Sequence, residues 1–290
     1  MLRSSFWQEF SGKPSPTRML KLHPTSIYCA SLVGNLLITG SDEDVRVFKF
    51  EQLLEGSTTP CLTMNNPQHP FGRGGLSALS ETNGVACSPD GTRAYTAAGD
   101  GNLYCWDLAT GKLVSTFKGH SDYVHAVAYR SSHQIASGAE DGMVKLWDVR
   151  TSECTATLNP SPSGRGKWIS SVAVDADDHT LVAGGGDCCL YLWNLQTGSL
   201  VANMPCPGPV QTIISANESI FSAGAYSAVH RWRFNGKLAG RAETTPHSVY
   251  AVSATRSSSG SEVTVVAGTS PTLDVYLGSN QRAFSLDFDA

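Results

Sequence analysis

The sequence predicts an all-β fold, a β-propeller with six recognisable four-stranded blades. Three observations carry the prediction. Six segments repeat one pattern, an apolar strand, a turn of small residues and a second strand closed by an aromatic: Leu36–Phe48, Ala94–Trp106, Ile135–Trp147, Leu181–Trp193, Ile220–Trp232 and Val265–Tyr276. The closing aromatics fall 58, 41, 46, 39 and 44 residues apart, close to the roughly 40–45 residues of a four-stranded blade repeat. Further apolar runs flank each segment on both sides, giving four strands per repeat.

Each segment reads as a β-hairpin. Alternation in Val144–Trp147 and Leu190–Trp193 puts alternate side chains on opposite faces of a sheet, and Gly and Asp in the connection accept the angles of a tight turn. Strands are expected before the hairpins at Ser26–Ser31, Gly84–Ser88, Tyr123–Tyr129, Ile169–Asp175, Val210–Ser215 and Val249–Thr255. Outer-strand candidates are Arg18–Leu22, Pro60–Met64, Leu113–Phe117, Glu153–Leu158, Leu200–Met204, Leu238–Arg241 and Gln281–Phe288. That is one more than six blades need. The spare strand at Arg18–Leu22 either completes the last blade, covering an exposed edge, or belongs to a blade whose other strands are missing. Residues 1–17 are expected to form a poorly ordered tail and residues 18–290 the propeller.

Composition narrows the functional classes. Hydrophobic residues make up 41% and charged residues 16% of the 290, enough for a real core. A net charge of -4 gives no general attraction to nucleic acid. No apolar run reaches the ~18 residues of a membrane span, and the N-terminal stretch has no continuous apolar region of a signal peptide. The eight cysteines are scattered apart from Cys188-Cys189 and form no C-x-x-C, which fits reduced thiols in a nuclear or cytosolic protein.

The third segment carries the fullest WD40 signature, with Gly119-His120 upstream and Trp147-Asp148 at its end. Ser137 lies ten residues and Asp141 six residues before Trp147. His120, Ser137, Asp141 and Trp147 are expected to form a structural tetrad, one hydrogen-bonded chain pinning the blade, in preference to a catalytic Ser/His/Asp set. Asp100 and Asp187 hold the matching place before Trp106 and Trp193, and Thr96 lies ten before Trp106.

Other candidate chemistry is weaker. No histidine pair has metal-ligand spacing with cysteine or carboxylate partners, and no nucleophile elbow or Walker loop is present. Gly72-Arg73-Gly74-Gly75 reads as a blade connection and Gly184-Gly185-Gly186-Asp187 as a hairpin turn. Two basic clusters, Arg165 with Lys167 before Trp168, and Arg231, Arg233, Lys237 and Arg241 around Trp232, could contact RNA by stacking; solvated charge or protein contact is the preferred reading. No catalytic, cofactor-binding or metal-ligating residue is assigned.

Gly119–Tyr129, Ile135–Arg150, Gly166–Asp175, Leu181–Asp187 and the terminal Arg282–Phe288 together resemble the family of subunit six of the THO complex, the WD40 subunit of the TREX mRNA-export machinery. The resemblance implies a noncatalytic nuclear scaffold acting in mRNA processing and export, with other THO/TREX subunits as partners, coiled-coil subunits above all. It implies no cofactor, no membrane and no direct RNA binding. Members of that family usually show seven blades, so the N-terminal blade is expected to be missing or incomplete. Ile135–Arg150 is also similar to the sixteen-residue box of WD40 substrate receptors of cullin-4 ubiquitin ligases. That second resemblance implies ligase-adaptor docking through Asp148 and Arg150.

Overall fold

The computed structural model describes residues 20–71, 75–76, 78–131, 133–160, 168–256, 260–278 and 281–287. Among them are six four-stranded antiparallel sheets, each with its strands in chain order. The first blade contains β1 (Ile27–Val33), β2 (Leu36–Ser41) and β3 (Val45–Lys49), then a short helix α1 (Phe50–Glu55) and β4 (Leu62–Met64). A two-stranded ribbon, β5 (Pro70–Phe71) with β6 (Gly75–Leu76), precedes the second blade, β7 (Thr82–Cys87), β8 (Arg93–Ala98), β9 (Asn102–Asp107) and β10 (Leu113–Lys118). The third is β11 (Val124–Ser131), β12 (Gln134–Ala139), β13 (Val144–Asp148) and β14 (Cys154–Leu158). The fourth is β15 (Ile169–Val174), β16 (Thr180–Gly185), β17 (Cys189–Asn194) and β18 (Ser199–Pro205). The fifth is β19 (Val210–Ala216), β20 (Ser219–Gly224), β21 (Tyr226–Trp232) and β22 (Leu238–Glu243). The sixth is β23 (Val249–Arg256), β24 (Glu262–Gly268), β25 (Thr272–Leu277) and β26 (Gln281–Asp287).

The fold is thus of the β-propeller class with six blades, and the six expected hairpins and their inner strands are all present. One expectation fails. Arg18 and Met19 lie outside the described residues, and Leu20–Leu22 form no strand. This stretch is held to the first blade from outside the ladder. Arg46 donates to the Leu22 carbonyl at 2.9 Å, and His23 is buried beside Thr39 and Asp44. An apolar pair between basic residues mimicked an outer strand, and among the described residues the outer strand of the last blade is β26. Residues 1–17, expected as a tail, are outside the described residues.

The contacts divide the chain into two compact units, Leu20–Val172 and a second from Ala173 onward, with the division inside β15. Within the first unit, blade one packs on blade two through Ile38, Val45, Val47 and Met64 against Ala94, Tyr104 and Trp106. Blade two packs on blade three through Tyr95, Leu103 and Phe117 against Val127, Ile135 and Trp147. Within the second unit, Leu190, Leu192 and Met204 meet Val210, Ile213, Ile220 and Trp232, and Phe221 and Val229 meet Val249, Val252, Val266 and Tyr276. Burial on both faces explains why the middle strands read as continuous apolar runs: five of the six residues of β8, β12 and β16 are buried.

Close approach also explains the small residues that end each hairpin's first strand. A Cβ placed on Gly138 would meet the Ile169 side chain and lie 2.8 Å from Val172 Cγ2, and one on Gly40 would lie 2.9 Å from Thr82 Cβ. Where the turn needs a left-handed residue, Gly101 (φ 81°) and Gly142 (φ 76°) supply it; the fourth blade has Cys188 there, at φ 62°.

Helix α1 ends on Gly56 at φ 97°, whose N–H donates to Leu53 O at 2.9 Å while Ser57 N–H reaches Gln52 O. It buries Leu53 and sits in blade one's connection between β3 and β4. The sequence reading had no element there, because six residues are too few for a helical period to show.

Candidate functional site

Polar side chains at blade ends form two sets, one buried and one partly or fully exposed. The buried set is centred on blade three. Trp147 Nε1 donates to Ser137 Oγ at 2.8 Å, Ser137 Oγ lies 2.8 Å from His120 Nε2, and His120 Nδ1 lies 2.8 Å from Asp141 Oδ2. An indole nitrogen only donates and a carboxylate only accepts, so the chain runs one way, from Trp147 through Ser137 and His120 to Asp141. The backbone N–H groups of Ser121 and Met143 also donate to Asp141, at 3.1 and 2.9 Å. Burial alone would raise the Asp141 pKa; the His120 and backbone hydrogen bonds outweigh it and hold the carboxyl below its usual range.

The connectivity Ser–His–Asp is that of a hydrolytic triad, but the environment is not. Ser137 and Trp147 are 0% exposed, as is the His120 side chain. The serine oxygen is already taken by the indole N–H, and no reacting carbonyl can reach it.

Related chains recur with different residues. In blade one, His23 Nε2 lies 2.7 Å from Thr39 Oγ1 and its Nδ1 2.8 Å from Asp44, with Phe48 edge-on to the ring. Blade two joins Trp106 to Thr96 at 2.9 Å, but its Asp100 goes to His69 at 2.8 Å and to the Tyr104 hydroxyl. Asp187 of blade four receives the Tyr191 hydroxyl, and Trp232 of blade five reaches Ser222 at 2.9 Å. Blade six buries Asp274, which accepts from Thr245 N–H (2.7 Å), Thr245 Oγ1 (2.9 Å) and Ser285 (2.6 Å). The sequence reading missed His23, Tyr104, Tyr191 and Asp274. A usable signal existed: His23 and His120 each stand four residues before an inner strand, and Tyr104, Tyr191 and Asp274 each stand two before the closing aromatic.

The exposed set arises from β-bulges. In five blades the register of the inner strand shifts after its first residue, at Ile27/Cys29, Thr82/Gly84, Val124/Ala126, Val210/Thr212 and Val249/Ala251. The residues released from the ladder are Tyr28, Asn83 and His125 in the first unit and Gln211 and Tyr250 in the second. A bulge re-aims the side chain of the extra residue. Tyr28 donates to Asp42 at 2.5 Å, Asn83 donates across to the Val124 carbonyl at 3.2 Å, and His125 lies 2.6 Å from Glu140. Strand alternation alone does not show a bulge, so the sequence reading did not single these residues out.

Asp148 ends β13, and Arg150 lies on the turn after it. Arg150 donates to Asp148 through Nε at 3.0 Å and its second guanidinium nitrogen at 2.5 Å, and its backbone N–H adds a bond at 2.9 Å. The Arg150 bonds hold the Asp148 carboxyl well below its usual range. Asp107 and Asn194 cap the corresponding turns of their blades through backbone N–H groups of Thr110 and Thr197. Of the two basic clusters, Arg165 and Lys167 lie outside the described residues. In the other, Trp232 is buried against blade four, Arg231 pairs with Glu262 at 3.2 Å over the Phe221 ring, and Arg241 pairs with Glu243 at 2.8 Å. Arg233 and Lys237 face solvent, and because Trp232 is buried it offers no stacking platform.

All eight cysteines are free thiols. Among the described residues no group of three His, Cys, Asp or Glu side chains could hold a metal ion, and no helix is long and apolar enough to cross a membrane.

The WD domain, G-beta repeat, family model matches residues 77–107, 111–148 and 152–194. The chain is 35% identical over 253 residues to "THO complex subunit 6" of Arabidopsis thaliana, covering 82% of this chain and 69% of that protein. It is 30% identical over 294 residues to "THO complex subunit 6" of Homo sapiens, covering 98% of this chain and 83% of that protein. Its likeness to "Autophagy-related protein 16" of Arabidopsis thaliana, 33% identical, spans only 42% of this chain and 24% of that protein.

Proposed function

The chain belongs to the family of THO complex subunit 6, and from that premise we propose that it is a noncatalytic WD40 scaffold of a THO/TREX assembly, acting in the nucleus in mRNA processing and export. The observation that carries this reading is similarity running through 98% of the chain, all six blades included, and not only through the repeats that WD40 proteins share. The noncatalytic role is supported by the closed Ser137–His120–Asp141 chain, which we read as a structural tetrad with Trp147. Its partners in this reading are other THO/TREX subunits, the coiled-coil subunits in particular, met through exposed blade ends. Affinity purification of the tagged chain from nuclear extract tests it. THO coiled-coil subunits should co-purify in stoichiometric amount; a preparation free of them overturns the reading.

A second reading is favoured by one observation. The Arg150 side chain is 64% exposed and bonded to Asp148, so the pair that the ligase-box resemblance implies for adaptor docking is open to a partner. Capture of the adaptor by the wild-type chain and its loss in Arg150→Ala would support that second role.

A further inference from the structure

We propose that the inner-strand rim of the unit Leu20–Val172 is a docking surface for an arginine-bearing basic segment of a protein partner. Three large side chains stand in solvent there. Ile27 is 45% exposed, Tyr28 52% and Tyr123 48%, where the core-facing residues of the same blades are at or near zero. Tyr28 is a bulge residue, and Tyr123 immediately precedes β11, whose own bulge residue is His125. Tyr28 is therefore presented by a strand, and Tyr123 by the residue that leads directly into one.

The rim is continuous across the three blades of this unit. Asn83 of blade two donates to the Val124 carbonyl of blade three, and a Cβ on Gly84 would lie 3.0 Å from the His125 carbonyl. Between blades one and two the Cys29 thiol donates to the Thr82 carbonyl at 3.5 Å, and the hydrogen bond to Asp42, with burial and the charges of Asp42 and Glu81, pushes the Tyr28 phenol upward. Charge selects the occupant. Asp42 bonds Tyr28 and Glu81 acts on it, Glu43 follows Asp42 in the turn between β2 and β3, Asp122 adjoins Tyr123, and Glu140 bonds His125. Among the described residues none of these five carboxylates lies within ion-pair distance of a lysine or arginine.

A guanidinium fits both features together. Its plane stacks on a tyrosine face, and its fork binds a carboxylate through two parallel hydrogen bonds. A lysine ammonium offers only a point charge. Nucleic acid is disfavoured, because five carboxylates repel a phosphate backbone.

The inference goes beyond assembly membership and does not depend on it, so it is tested on the purified full chain alone. A short fluorescent peptide alternating arginine with serine is titrated and followed by polarisation. The same peptide with lysine replacing arginine, and a single-stranded RNA oligonucleotide, serve as comparators. The arginine peptide should bind, and the lysine peptide and RNA should each bind about tenfold or more weakly. Tyr28→Ala, Tyr123→Ala and Glu81→Gln should each weaken arginine-peptide binding severalfold with the melting temperature unchanged, whereas Glu243→Gln, on an outer strand, should not. No binding by wild type, equal binding of the lysine peptide, preference for RNA, or indifference to all three rim substitutions would each overturn the proposal.

Discussion

Trp147 and Ser137 are joined across the third hairpin by a 2.8 Å bond from indole nitrogen to hydroxyl, at a point where neither residue has any exposed surface. The two residues are not direct register partners: Trp147 stands opposite Ile135 and Ser137 opposite Lys145. The bond therefore runs diagonally and ties the ladder to the His120 loop. Trp147→Ala should cost about 3–5 kcal/mol, the usual range for an aromatic removed from a core. Trp147→Phe keeps most of the volume and should cost about 1–3 kcal/mol by leaving Ser137 short of a donor. Chemical denaturation measures both, and a wild-type midpoint for Trp147→Ala would refute a structural role for the chain.

Gly138→Ala tests how tightly the third blade meets the strand that follows it. Its methyl would fall against Ile169 and Val172, and overpacking of this kind typically costs about 1–3 kcal/mol. The melting temperature should drop, and Gly138→Ala combined with Ile169→Ala, which removes the Cγ2 that the new methyl meets, should lose less than the two single losses added together. A variant as stable as wild type would mean that the strands separate easily there.

Cys188 occupies a left-handed turn position held by glycine in blades two and three. Cys188→Gly removes strain of about 1–2 kcal/mol against an entropic cost of roughly 0.5–1 kcal/mol. The net effect should be neutral to about 1 kcal/mol stabilising, seen as a denaturation midpoint at or above wild type. Cys188→Ala, which keeps the strain, should give no gain; equal gains in both variants would remove backbone strain as the cause.

Stability should fall on mild acidification. Burial pushes His230 below its ordinary pKa of 6.5, Arg241 adds to the shift and Glu243 opposes it; burial also lowers His23, with Asp44 opposing and Arg46 assisting. The unfolded chain then binds protons more tightly than the folded one. The contribution is fully present above pH 6.5 and is lost as pH falls through the folded values. Asp141 acts with the same sign in a lower window, below its ordinary 3.8. His230→Phe keeps the ring contacts with Tyr226 and Trp232 and should flatten the melting temperature profile just below pH 6.5. An unaltered slope would count against His230 as a source.

What the sequence revealed divides by physical cause. The hairpins and closing aromatics were legible because interblade burial demands apolar strands at a regular period, and His120 through its Gly119 neighbour. His23 was not, since Leu22-His23-Pro24 lacks that glycine and only its distance from β1 matches. Tyr104 and Tyr191 reach Asp100 and Asp187 from within the strand, beside His69 in blade two, and only their place two residues before the closing aromatic marks them in the sequence. Tyr28 looked like an ordinary strand residue, because a bulge changes the direction of a side chain without changing its type, and Tyr123 stands one residue before the strand it was read into. Arg18–Leu22 had the composition of an edge strand but no partner strand in the described residues.

The strict chain-order succession of strands within every four-stranded sheet bears on how the protein comes into being. Each ladder joins strands adjacent in sequence, so a blade needs nothing synthesised after it to complete its own hydrogen bonds. At about 5–20 residues per second of translation, a blade's strands leave the ribosome within seconds of one another, far more slowly than a hairpin forms, which takes about 1–10 μs. Nascent blades can thus zip in order from β1 to β26, each offering its apolar flank to the next as it emerges.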